Sequence, residues 1–120
     1  MISQKIKIKP LSVNKCWQGR RFKTPTYKTY QTELLLLLKS KKLNFDKIEL
    51  YVRYGFSSAN ADLDNPQKPF QDILSKKYGF NDSKVYRLIL EREQVKKGNE
   101  YIYFEIKEYV VQHNITTNQK

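Results

Sequence analysis

The chain has 120 residues and a formal charge of +11, with 23 Lys or Arg against 12 Asp or Glu. A chain of this length is expected to form one domain, burying roughly two-thirds of the surface it exposes when unfolded. The single cysteine, Cys16, excludes an intrachain disulfide and a cysteine-pair metal site; no apolar run approaches the ~20 residues of a membrane span, and MISQKIKIKP lacks the apolar centre of a signal peptide, so a soluble, reducing, intracellular setting is expected.

In chain order, SQKIKIK (3–9) alternates Ile with Lys and predicts a first strand closed by Pro10. Residues 11–25, LSVNKCWQGRRFKTP, read as irregular and basic. From Thr26 to Lys42, Tyr27, Tyr30, Leu34, Leu37 and Leu38 recur at helical spacing, and KSKK is expected to complement the helix C-terminal dipole. KIELYVRYGF (47–56) alternates again as a second strand, followed by the turn-rich SSANADLDNP. A second helix is expected with Asn65 as N-cap and Pro66 at its first position, Phe70, Ile73 and Leu74 inward, and Gly79 ending it. KVYRLILERE and EYIYFEIKEY then read as an antiparallel hairpin around KKGN. The predicted fold is α/β of the α+β type: two layers, β-α-β-α-β-β, with a mixed four-stranded sheet covered by two helices. Residues 1–111 form the expected domain, and 112–120 an expected flexible tail.

Charge is distributed unevenly. Residues 1–60 hold 13 Lys or Arg against 3 Asp or Glu, whereas residues 61–120 hold 10 against 9. The basic half points to a polyanion such as nucleic acid. Lys15, Arg20, Arg21, Lys23 and Lys28 suit backbone phosphates, and Trp17 or Phe22 suits stacking on an opened base step. Set against this, Asp62, Asp64 and Asp72 crowd into NADLDNPQKPFQDIL, and Asp82 follows. In extended backbone, side chains two apart share a face, so Asp62 and Asp64 repel by about 4 kcal/mol at ~4 Å and an effective dielectric of ~20. A proton, a cationic side chain or a divalent ion must relieve that repulsion. Lys68 and Asp72 stand at helical i, i+4 spacing and share a face. An EF-hand is excluded, because Gln67 and Ile73 occupy the positions that need Gly and Glu. Cys16 and His113 acquire no catalytic role. The LLLLL run at 34–38 is more apolar than one buried helix face requires, which suggests a second covered surface.

DLDNPQKPFQDIL followed by GFNDSKVYRLILERE, and preceded by PLSVNKCW, resembles the RusA-type Holliday-junction resolvases across roughly residues 5 to 106. The resemblance implies a Mg²⁺-dependent endodeoxyribonuclease, with Mn²⁺ as an alternative ion and no small-molecule cofactor. It further implies a homodimer that resolves four-way DNA junctions in the cytoplasm of a bacterial or phage-infected cell. By motif, Asp62, Asp64 and Asp82 correspond to the essential acids and metal ligands, and Lys68 to the functional lysine. Asn14, Asn65 and Asp72 fall at supporting positions. Asn81 departs from the pattern, standing where the family often has a second acid. Two other readings stay open at this point: a less selective nuclease of flaps and other branched DNA, and a non-catalytic basic DNA-binding protein.

Overall fold

A computed structural model describes residues 1–19 and 22–111. Its main sheet contains β1 (Ile2–Ile6), β4 (Ile48–Phe56), β5 (Val85–Gln94) and β6 (Tyr101–Glu108), in the order β1-β6-β4-β5. A small second sheet pairs β2 (Trp17–Gln18) with β3 (Phe22–Lys23). Helix α1 (Pro25–Leu37) precedes β4, and α2 (Gln67–Tyr78) links β4 to the parallel strand β5. Because β1 and β4 are both antiparallel to β6, α1 likewise joins two parallel strands. Both crossovers step in the same direction along the sheet, so crossovers of one hand place both helices on one face. The mixed α+β architecture is therefore as expected, with helices layered on a single side.

Alternation explains which side is covered. In β4, Ile48, Leu50, Val52, Tyr54 and Phe56 are buried and join Ile102, Phe104 and Ile106 of β6 under Tyr27, Tyr30 and Leu34 of α1 and Phe70, Ile73 and Leu74 of α2. The intervening residues form the open face, where Tyr51, Arg53, Tyr101 and Tyr103 interlock with Glu91, Glu93 and Glu105 through hydrogen bonds and Arg53–ring contacts. Gly55 is needed there: a Cβ at that position would overlap the Tyr101 ring lying opposite it. Among the described residues no helix is long and apolar enough to cross a membrane.

Four expectations about the elements are corrected. Strand β1 is Ile2–Ile6 rather than 3–9, and a tight turn in which the Ile8 N–H donates to the Ile6 carbonyl (3.0 Å) takes the chain out of the sheet. Helix α1 stops at Leu37 rather than Lys42, so the KSKK segment is not its final turn. The cause is tertiary. Leu38 turns extended (φ −66°, ψ 133°) to enter the core, and the carbonyls left at the helix end receive side-chain donors: Gln4 on Leu37 (2.8 Å) and Lys77 on Leu35 (3.0 Å).

The other two corrections concern α2 and β5. Pro66, not Asn65, holds the cap position of α2, and no side chain caps it. Two overlapping turns, Asn65 N–H to the Asp62 carbonyl and Gln67 N–H to the Asp64 carbonyl (both 3.2 Å), wind directly into the helix instead. Gly79 ends α2 in the left-handed conformation (φ 72°), as expected. Finally, β5 and β6 do not pair with each other, because β4 lies between them. The α2 crossover delivers β5 beside β4, and the chain then passes the end of β4, where the Val95 N–H donates to the Phe56 carbonyl (2.8 Å). The apolar β4 takes the centre, while β5, with charges on both faces, takes the edge.

The buried tyrosines set a pH limit on stability. Burial, then the nearby Asp72, pushes Tyr27 up to about 12, and burial raises Tyr30 and Tyr54 as well. Unfolded tyrosines ionise near ~10, so the unfolded state loses these protons first. Their contribution is complete below pH ~10 and is lost as pH rises, through about 12 for Tyr27. Urea midpoints measured from pH 8 to 11.5 should begin to fall above pH ~8.5, where the unfolded Cys16 thiol ionises before the buried one, and fall more steeply above pH ~10, each such tyrosine contributing up to about 1.4 kcal/mol per pH unit.

Candidate functional site

The loop at 57–66 leaves the carboxyl end of β4 and leads into α2, in the region where open α/β sheets usually carry their ligands. It presents Asp62 and Asp64, both exposed. Asp62 also borders a cleft of about 170 Å³ with Lys9, Ser57, Phe56, Pro66 and Glu100. Glu100 is held below the usual carboxylate range, first by a hydrogen bond from the Ser57 hydroxyl (2.6 Å). Among the described residues, neither Asp62 nor Asp64 takes part in a salt bridge.

A second group forms on the exposed side of α2. Lys68 Nζ lies 3.0 Å from Asp72 Oδ1 and 3.2 Å from Asp82 Oδ2. The first contact is the i, i+4 pair read from the sequence; the second depends on the 3-10 turn Asp82–Lys84 returning beside α2 after Gly79. Asp72, then Asp82, raises the Lys68 pKa, so the ammonium stays charged at neutral pH. The other Asp82 oxygen accepts from Gln71 Nε2 (3.3 Å). Gln71 Oε1 accepts from Gln67 Nε2 (2.8 Å), and Gln67 Oε1 accepts from the buried Tyr54 hydroxyl (2.6 Å). A chain of hydrogen bonds thus runs from the core strand β4 to Asp82 at the surface. The sequence does not single out Gln67 and Gln71, although they stand one residue before Lys68 and Asp72 at the same helical spacing. Neutral amides offer no charge signal, and only the strand partner Tyr54 reveals their use.

The basic segment lies against this face. The 3-10 turn Val13–Lys15 is tied to the acidic loop by the Val13 N–H, which donates to the Asn65 carbonyl (2.9 Å). Trp17 is 43% exposed and meets Tyr27 edge-on at 5.9 Å, so it is a surface aromatic rather than a core residue. Lys23 lies over the same Tyr27 ring (5.4 Å) and donates to Gln31 Oε1 (3.1 Å). Phe22 is 71% exposed, and Asn14, Lys15 and Lys28 face solvent. Arg20 and Arg21 lie outside the described residues, as does the tail at 112–120. Cys16 is buried beneath this segment; burial, then Asp72, raises its thiol pKa.

Among the described residues no group of three His, Cys, Asp or Glu side chains is arranged to hold an ion. The structure brings together Lys68, Asp72 and Asp82, with Asp62 and Asp64 on the adjoining loop. The donor chemistry still suits a hard cation. Mg²⁺ usually takes one or two carboxylates and completes its shell with water and substrate phosphate, which the exposed Asp62 and Asp64 permit. Asp82 receives Lys68 on one oxygen and Gln71 on the other, and each oxygen keeps a further lone pair. No protein-family model matches the chain, and no curated protein sequence matches it.

Proposed function

We propose that this chain is a RusA-like, Mg²⁺-dependent endodeoxyribonuclease that resolves four-way DNA junctions by paired phosphodiester hydrolysis. The observation that carries the reading is a cation held between two carboxylates, Lys68 between Asp72 and Asp82, beside the exposed Asp62–Asp64 loop and a basic, aromatic surface. Lys15, Lys23 and Lys28 receive backbone phosphates, joined by Arg20 and Arg21, and Trp17 and Phe22 offer rings to bases at the branch point. Asp62 and Asp64, with Asp82, would hold the ion, and Mg²⁺, or Mn²⁺ in its place, would supply charge neutralisation at the scissile phosphate and a lower pKa for the attacking water. Lys68 adds a fixed positive charge for the phosphate oxygens, and the Tyr54–Gln67–Gln71 chain holds Asp82 in orientation.

Paired cuts in a two-fold substrate suit a two-fold enzyme, so the working unit is proposed to be a homodimer. Its setting would be the cytoplasm of a bacterial or phage-infected cell. The test is cleavage of a synthetic four-way junction, a flap and a linear duplex in Mg²⁺. Symmetric nicks in the junction, with linear duplex left intact, are expected. Equal cutting of flap and junction would favour the less selective nuclease, and salt-sensitive binding without cutting in Mg²⁺ or Mn²⁺ would favour the non-catalytic DNA-binding protein.

A further inference from the structure

The acidic loop is fastened to the sheet by a row of donors from β5 and the residue after it. The Val95 N–H reaches the Phe56 carbonyl at 2.8 Å, and Gln94 Nε2 reaches the Ser57 carbonyl at 2.9 Å. Arg92 then makes two contacts further along: its Nη2 lies 3.3 Å from the Ser58 carbonyl and its Nη1 lies 2.6 Å from the Ala61 carbonyl. Its guanidinium sits 5.0 Å from the centre of the Phe56 ring, on the helix-covered side of the sheet. A guanidinium is planar and carries several donors in fixed directions, so two carbonyls and an aromatic face together define its position. The second of those carbonyls belongs to the residue immediately before Asp62.

We infer that Arg92 is a positioning residue for the acidic loop, fixing the backbone from Ser58 to Ala61 so that Asp62 and Asp64 are presented to a divalent cation. The inference rests on the reading of those two acids as ion ligands. Other ties hold the two ends of the loop, Gln94 to the Ser57 carbonyl, the Ser57 hydroxyl to Glu100 and Val13 to the Asn65 carbonyl, and Ala61 and Leu63 pack against the core. The loop's own hydrogen bonds are short-range: Asn60 N–H to Ser58 Oγ (3.3 Å), Ala61 N–H to the Ser58 carbonyl (3.5 Å) and Asn65 N–H to the Asp62 carbonyl (3.2 Å). Each of these persists if the whole turn swings, whereas the Arg92 contacts link the turn to a strand. Arg92 also brings a positive charge to a loop that carries two carboxylates. A lysine at position 92 keeps the charge, but a single ammonium lacks the planar fork and holds one carbonyl at a time.

Two measurements test this on the full chain, with thermal unfolding as a check that each variant folds. The first is amide exchange across residues 58–67. Arg92→Ala should speed exchange there by about 10-fold and leave the β4 and β6 amides unchanged, with Arg92→Lys in between. The second is Mn²⁺ binding, read by paramagnetic broadening of the Asp62 and Asp64 resonances. Arg92→Ala should weaken it about 10-fold while salt-dependent junction binding without metal stays within about twofold, and junction turnover should fall about 10- to 100-fold. Loop exchange or Mn²⁺ affinity unchanged in Arg92→Ala would overturn the inference. Wild-type protein that binds no Mn²⁺ at this loop would overturn it together with the metal-site reading. If the wild type binds Mn²⁺ there, loses it on Arg92→Ala, and cuts no branched DNA, the positioning role stands and the nuclease reading fails.

Discussion

Asp62→Asn and Asp64→Asn are each expected to lower junction cutting by about 10³-fold, about 4 kcal/mol of transition-state stabilisation, while junction binding without metal stays within about threefold. An amide keeps the shape of the carboxylate but binds a hard cation far more weakly. Because both side chains are exposed and outside any salt bridge among the described residues, the substitutions break no packing. Asp82→Asn is expected to be as damaging for two reasons at once. It removes a proposed ligand and also frees Lys68 from one of its two carboxylates. The two contributions separate in Lys68→Ala, where Asp82 loses its cation but keeps the contact from Gln71. If Asp82 acts through the ion, Lys68→Ala should leave Mn²⁺ affinity intact and reduce turnover only. Near-wild-type cutting by Asp62→Asn, Asp64→Asn and Asp82→Asn together would sink the metal-site reading. Loss of junction binding along with cutting would point to an unfolded variant instead.

Local chemistry made some of this legible before the fold was seen. Alternation in IELYVRYGF and the run from Phe70 to Gly79 depend on near neighbours, so strand β4 and the far end of α2 were readable. The Lys68–Asp72 pair is likewise one helical turn. What escaped was decided by partners distant in the chain. Leu38 continues the apolar pattern of α1, yet Gln4 and the core stop the helix before it. The two C-terminal strands carry a hairpin-like spacing, and only the greater burial available to β4 places that strand between them. At the site, Asp82 lies 14 positions from Lys68 and meets it because Gly79 reverses the chain. Arg92 gives no signal at all in a segment reading EREQ, since its partners are backbone carbonyls that any sequence possesses.

Loss of the proposed dimer is the second large effect expected, and the structure changes where the interface is sought. The leucine run suggests a second covered surface, but Leu34 and Leu38 join the core, leaving Leu36 and Leu37 exposed on α1. The edge strand β5 offers more: ten residues with one side unpaired, and Tyr86, Leu88 and Ile89 all exposed. Such an edge is a template for another strand. Two copies related by a two-fold axis through the sheet pair β5 with itself antiparallel, and only registers that match like faces are allowed. The register centred on Ile89 sets Arg87 opposite Glu91 twice, so charge favours it, and it puts both helix layers, and so both Lys68 groups, on one face. Sedimentation should find a species of twice 14.4 kDa at micromolar concentration. Arg87→Glu or Glu91→Arg alone places like charges opposite each other at two points and should weaken the dimer about 10-fold, or about 1.4 kcal/mol. The double exchange should restore it, although the Arg87–Glu49 pair within each subunit stays broken. That restoration separates pairing across the axis from a change in subunit stability. A monomer at every concentration that still makes paired cuts would show that no such dimer is needed.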